Sequence, residues 1–169
     1  MSTDSLFASV AEMPQLSPAS RVWIYTAARP LTAAEQAQLV PELQRFAQHW
    51  TAHNAALKAT AEVFANQMII LVVDESQAGA SGCSIDKSVR FLEQQSEAIG
   101  VDFFDRMRFG WVNELGQIVF NARDEFAPLK AAGTVTDDTL MVNSLAANLS
   151  EMKEKWLIPL GKSWHNRVI

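Results

Sequence analysis

The consecutive apolar residues Met68-Ile69-Ile70-Leu71-Val72-Val73 constrain this chain more than any other stretch. A strand sends successive side chains to opposite faces, so an unbroken apolar run leaves neither face for water. The run is far shorter than the roughly 20 apolar residues that a membrane-spanning helix needs. It therefore reads as the central strand of a sheet that is covered on both sides.

The flanking segments supply candidates for those covers. Val22-Trp23-Ile24-Tyr25 reads as a second buried strand. Thr32 and Glu35 have the spacing of a capping box, in which hydroxyl and carboxylate each take an orphan amide of a helix start. Leu39, Leu43, Phe46 and Trp50 follow as one stripe at helical period, which Pro41 is expected to kink or restart. Residues 57–65 alternate, with Leu57, Ala59, Ala61 and Val63 opposite Lys58, Thr60 and Glu62, and Asn66-Gln67 marks a turn. Ile85, Val89, Leu92, Ser96 and Ile99 form a second helical stripe that Gly100 ends. Residues 103–112, with Arg106 and Arg108 on one face, suit an edge strand.

The resulting order is β-α-β-β-α-β, the split pattern of a ferredoxin-like α+β sheet carrying two helices. That topology puts the first and third strands at the centre and the second and fourth at the edges, and the polarity of the segments agrees. The division expected from sequence is an N-terminal arm over residues 1–19, a ferredoxin-like domain over 20–113, and a small α/β extension over 114–169. In the arm, Leu6, Phe7, Val10 and Met13 suit an amphipathic turn docked on a surface. In the extension, 121–124 can cap a short helix closed by Gly133, 139–143 reads as a strand, and Leu149, Met152 and Trp156 have helical spacing. Two helices cover only one face of a sheet, so the extension, or a second subunit in a homodimer, is expected on the other.

Composition removes several functions. With 169 residues and a net charge of −5, the chain repels phosphate backbones, which argues against nucleic acid and anionic membranes as partners. An RNA-reading sheet also needs aromatics on both central strands; Trp23 and Tyr25 provide them on one, and 68–73 provides none. The single cysteine, Cys83, cannot form an internal disulfide, and residues 1–20 have neither a basic nor a long apolar signal region, so the cytoplasm is the expected location. Gly161-Lys162-Ser163 ends like a phosphate loop, but that motif needs glycine at position 156, where tryptophan stands.

The loop at 74–86, which follows the apolar run, concentrates the reactive side chains. Cys83 at a helix start is a candidate nucleophile, with His53 as its base and Asp74 or Glu75 orienting the imidazole. In a ferredoxin-like sheet these residues share one edge with Trp111, Asn113 and Glu114. A metal reading joins His49, His53 and Cys83, but Trp50 occupies the place of a metalloprotease glutamate, and no metal or cofactor is assigned. A pocket reading uses Gly79, Ser81 and Gly82 as a backbone cradle, with Ser84 as helix cap and Asp86 in the first turn. The carboxylates of Asp74, Glu75 and Asp86 would suit an amine or guanidinium there rather than an anion.

Trp50-Thr51-Ala52-His53, Asp74-Glu75-Ser76, 82–86 with Ser88-Val89-Arg90-Phe91, 101–106 and Ser163-Trp164-His165 resemble an uncharacterised family of small bacterial proteins typical of Bacteroidota. Its members often carry the label "ABC transporter ATPase"; this chain lacks the phosphate loop that such an activity requires. Residues 126–143 also resemble, over a short stretch, a GYF-like peptide-binding module. The reading from sequence is a non-catalytic module that binds a small ligand or a protein at the 74–86 loop. The alternative is a thiol enzyme using Cys83 with His53.

Overall fold

The computed structural model describes residues 16–169, so the turn expected from Leu6, Phe7, Val10 and Met13 lies outside the described residues. β1 (Arg21–Thr26) leads to α1 (Ala33–His49), whose start carries the capping box. The Glu35 N–H donates to Thr32 Oγ1 at 3.1 Å, and the Thr32 N–H donates to the Glu35 carboxylate at 2.9 Å. α1 runs through Pro41 without interruption. It stops at His49 because Trp50 turns to extended backbone, and a small hairpin of β2 (Thr51–Ala52) and β3 (Ala55–Ala56) follows. β4 (Lys58–Phe64) and β5 (Met68–Asp74) are joined by a tight turn in which Ala65 and Asn66 have φ of 52° and 60°.

α2 (Gly82–Ile99) ends at Gly100, where φ is 81°. The left-handed conformation needed there is open to glycine at no steric cost. The buried side chains of α2 are Ser84, Ser88 and Leu92, while Ile85 and Val89 are half-buried. Ser81, not Ser84, is the N-cap; Ser84 sits at the third helical position and completes a reciprocal pair with Ser81.

The ferredoxin-like expectation needs correction at the fourth strand. The first sheet has the order β1-β5-β4, antiparallel throughout, with β5 at its centre and β1 at an edge. Residues 103–107 are not strand. Asp102 and Asp105 each accept an amide two residues on, from Phe104 (2.8 Å) and Met107 (3.0 Å), and these turns redirect the chain. The strand that follows, β6 (Arg108–Val112), enters a second sheet with β7 (Ile118–Ala122), β8 (Leu140–Val142) and β9 (Leu157–Pro159), in the order β7-β6-β8-β9. Two short helices, α3 (Phe126–Ala131) and α4 (Leu149–Glu154), complete this part. The protein is thus mixed α and β with several small sheets.

Every residue of β5 is buried. Ile69, Leu71 and Val73 meet Leu39, Leu43 and Leu92 of the helices. Met68, Ile70 and Val72 on the other face meet Val142, Leu149, Met152 and Trp156. Full burial of each such side chain is worth about 1.5–3 kcal/mol, so the two-faced strand is the main apolar anchor of the fold. A third cluster, built from Phe109, Trp111, Phe126, Met141 and Leu160, fills the opposite side of the second sheet. No helix among the described residues is long and apolar enough to cross a membrane.

Candidate functional site

The 74–86 loop closes on itself. Buried Asp74 accepts the N–H of Ser76 and the N–H of Ser17, each at 3.0 Å, and lies 3.6 Å from the Lys58 ammonium. Glu75 accepts the Ala80 N–H at 2.9 Å and pairs with Arg21 at 3.5 Å. Ser81 and Ser84 cap α2. Asp86 is exposed in the second turn of that helix, and Gly82 opens its first. The Asp74 and Glu75 carboxylates and the Ser81 and Ser84 hydroxyls that suggested a pocket are therefore engaged in forming a tight turn and a helix cap.

Hydrogen bonds from the Ser76 hydroxyl and amide, then from the Ser17 amide, hold the Asp74 carboxyl well below the usual aspartate range. Its stabilising effect is complete above the ordinary aspartate pKa of about 3.9 and fades only as pH falls below it. Asp74→Asn is accordingly expected to melt at lower temperature than the parent between pH 5 and 7, by a constant margin. That margin should shrink below about pH 4 as the parent aspartate takes a proton in the unfolded chain that the folded chain still excludes. Parallel melting curves down to pH 2 would refute this.

No hydrogen bond or ion pair among the described residues joins the members of the proposed thiol and metal constellations. His53, with φ of 50°, sits with Asn54 in the turn between β2 and β3, because α1 ends at His49 and the i, i+4 relation of the two histidines is lost. Cys83 is exposed in the first turn of α2. Among the described residues no hydrogen bond or ion pair links His53 to Cys83, Asp74 or Glu75, and no cluster of His, Cys, Asp and Glu suits a metal. The ends of the two helices do meet, through Trp50 Nε1 donating to the Ser84 carbonyl at 2.8 Å. Trp111, expected at the same edge, is instead buried in the second sheet, since its strand left the first.

A cleft lies elsewhere, along the outer edge of β1. It holds about 320 Å³, near the lower end for small-ligand sites, and is lined by Tyr25, Phe104, Arg106, Arg108, Leu145 and Trp164 among others. Phe104 and Tyr25 meet edge to face, their rings 5.5 Å apart. Arg108 is held by Asp105 at 3.1 Å and approached by Glu125 at 4.0 Å, whereas exposed Arg106 has no carboxylate within ion-pair distance among the described residues. Burial raises the pKa of the Tyr25 phenol, against the opposing influence of the Ser88 hydroxyl and the Arg106 charge.

The backbone of β1 is half committed at this edge. The Val22 N–H donates to the Ala147 carbonyl at 3.0 Å, and the Thr26 carbonyl accepts the Asp105 N–H at 3.1 Å. Amide and carbonyl groups alternate sides along a strand, so the N–H and C=O of Ile24 face the same edge. They have no partner among the described residues and open onto the cleft.

No family model matches the chain, and neither curated proteins nor solved structures provide a match. The site accordingly stands on its geometry. Sequence reasoning singled out Arg106 and Arg108, but only as marks of an edge strand. The cleft depends on the diverted fourth strand, and the two acidic turns at Asp102 and Asp105 were the local signal for that diversion.

Behind the cleft, Trp164 stacks on His165, with ring centroids 3.7 Å apart, and donates from Nε1 to Asn143 at 3.3 Å. His165 is fully buried; Nδ1 is bonded to the Ser163 hydroxyl, and Nε2 has no partner among the described residues.

Proposed function

We propose that the protein is a non-catalytic binding module whose ligand occupies the cleft beside β1. The observation that carries this reading is the convergence, on one cavity, of aromatic walls with an arginine and a stretch of strand that have no partner among the described residues. The first sheet with its two helices is read as a ferredoxin-like unit whose fourth strand has been given up to a second sheet, which leaves β1 open. An exposed lone thiol suits the reducing cytoplasm, and the net charge of −5 favours a small molecule or protein over nucleic acid.

The thiol-enzyme alternative draws support only from the exposure of Cys83. Its intended orienting groups, Asp74 and Glu75, are engaged by loop amides.

A screen of small carboxylates and amides by thermal shift tests the binding reading. A ligand at about one hundred times its Kd should add about 2.7 kcal/mol and raise the melting temperature by several degrees. Its NMR footprint should fall on the Trp164 indole and the Ile24 amide. Alkylation of Cys83 with iodoacetamide should leave that binding intact. A screen without cleft ligands, or hits that alkylated Cys83 no longer binds, would sink the proposal.

A further inference from the structure

We infer that the ligand is a short extended peptide segment carrying a carboxylate, which adds to the outer edge of β1 by hydrogen-bonding Ile24 and sets its carboxylate against Arg106. The inference rests on the cleft being the binding site and adds the chemistry of what enters it.

An edge strand offers alternating donors and acceptors that another extended chain satisfies better than any other partner. Proteins usually guard such edges with lysine, proline or a bulge, or cover them. β1, with the sequence Arg-Val-Trp-Ile-Tyr-Thr, has none of those guards at its centre. Among the described residues it is covered only at its ends, by the Ala147 carbonyl at Val22 and the Asp105 amide at Thr26. The uncovered length between these two contacts is about 13 Å, enough for about four extended residues. An added strand would lie about 4.8 Å from β1, within the cleft bounded by Leu145 and Trp164.

Charge selects among peptides. Asp105 and Glu125 already serve Arg108, which leaves Arg106 as the cation at the rim without a partner among the described residues. Leu145, 63% exposed, offers apolar contact within the same lining. An acidic side chain or a terminal carboxylate flanked by apolar β-forming residues meets all three features.

The probes are three synthetic pools of N-acetylated tetrapeptides, varied among valine, isoleucine and threonine at the first three positions. One pool ends in aspartate, one in lysine amide, and the third repeats the aspartate pool with N-methylated internal amides. The full chain is observed by NMR and amide hydrogen exchange. The aspartate pool should shift the Ile24 amide and slow its exchange, and the other two pools should bind about tenfold more weakly or worse. Arg106→Glu should remove the advantage of the aspartate pool over the lysine pool, and Arg106→Gln should reduce it, with the fold unchanged by circular dichroism.

Equal binding by methylated and unmethylated pools would overturn strand addition while leaving a cleft ligand in place. Silence from all pools, beside a small-molecule hit in the same cleft, would overturn the peptide and spare the binding site. An Ile24 amide already protected in a dimer seen by sedimentation would also overturn it, the edge then belonging to a second copy.

Discussion

Trp50→Ala is expected to remove about 3–5 kcal/mol of folding stability, the range for deleting a buried large aromatic. Typical domains are stable by only about 5–15 kcal/mol, so the variant should be marginal at best. Trp50 is 2% exposed and does four things at once. Its extended backbone ends α1, and its carbonyl accepts the Leu57 N–H at 2.9 Å, which holds the β2-β3 hairpin in place. Its ring packs on Phe46 and Trp23, with centroids 5.0 and 5.9 Å away. Its Nε1 donates to the Ser84 carbonyl and so ties the end of α1 to the start of α2.

Trp50→Phe separates these contributions. It keeps most of the packing and removes the indole donor, so a loss of about 1–2 kcal/mol is expected, the sum of one net hydrogen bond and a small cavity. Urea unfolding of the three proteins measures both numbers, with unchanged m-values showing that the same surface is exposed. A loss below about 1 kcal/mol in the alanine variant would mean that Trp50 is peripheral to the core.

Local chemistry was readable in the sequence where it was self-contained. The Thr32 and Glu35 box needs only residues three apart, and the alternation over 57–65 needs only its own neighbours; both are present in the structure. The cap of α2 was misplaced because Ser81 and Ser84 have the same chemistry and the helix begins one turn earlier than its apolar stripe suggests. β7 and β9 were missed; both are five residues or fewer, and each gains its identity from pairing across the second sheet. β1 looked central because both its faces are apolar. Those faces are indeed packed, on Ala27 and Trp50 of one cluster and on Leu149 and Met152 of the other, but among the described residues its outer backbone edge is not paired with a strand. Burial of faces is written in side chains, whereas pairing of edges is a property of the whole topology. A site that depends on an open edge therefore lay beyond a reading of the residues, and the reactive residues that could be read, Asp74, Glu75, Ser81 and Ser84, are those that build a turn and a helix start.

Between about pH 6.5 and 4, stability should depend on His165. Burial lowers its pKa to about 4, from a value near 6.5 for an exposed histidine. Above about pH 6.5 the ring is neutral in both folded and unfolded chains and costs nothing. As pH falls from there toward about 4, the unfolded chain binds a proton that the folded chain excludes, so stability declines. The limiting slope is about 1.4 kcal/mol per pH unit, for a total of about 3 kcal/mol across the window. Asp74 acts below this window, with its carboxylate still ionised through most of it, so the two groups separate on the pH axis. His165→Phe keeps an aromatic ring against Phe109 and Trp164 and removes the titration. Its stability relative to the parent should therefore rise steadily between about pH 6.5 and 4, whatever the offset at neutral pH. Urea midpoints at half-unit steps read this directly, and an offset independent of pH would show that the imidazole takes its proton in the folded chain as easily as in the unfolded one. Because Trp164, which lines the cleft, stacks on His165, acid expulsion of the imidazole is also expected to disturb the cleft before the first sheet unfolds, which loss of cleft-ligand binding between pH 5 and 4 would register ahead of the main transition.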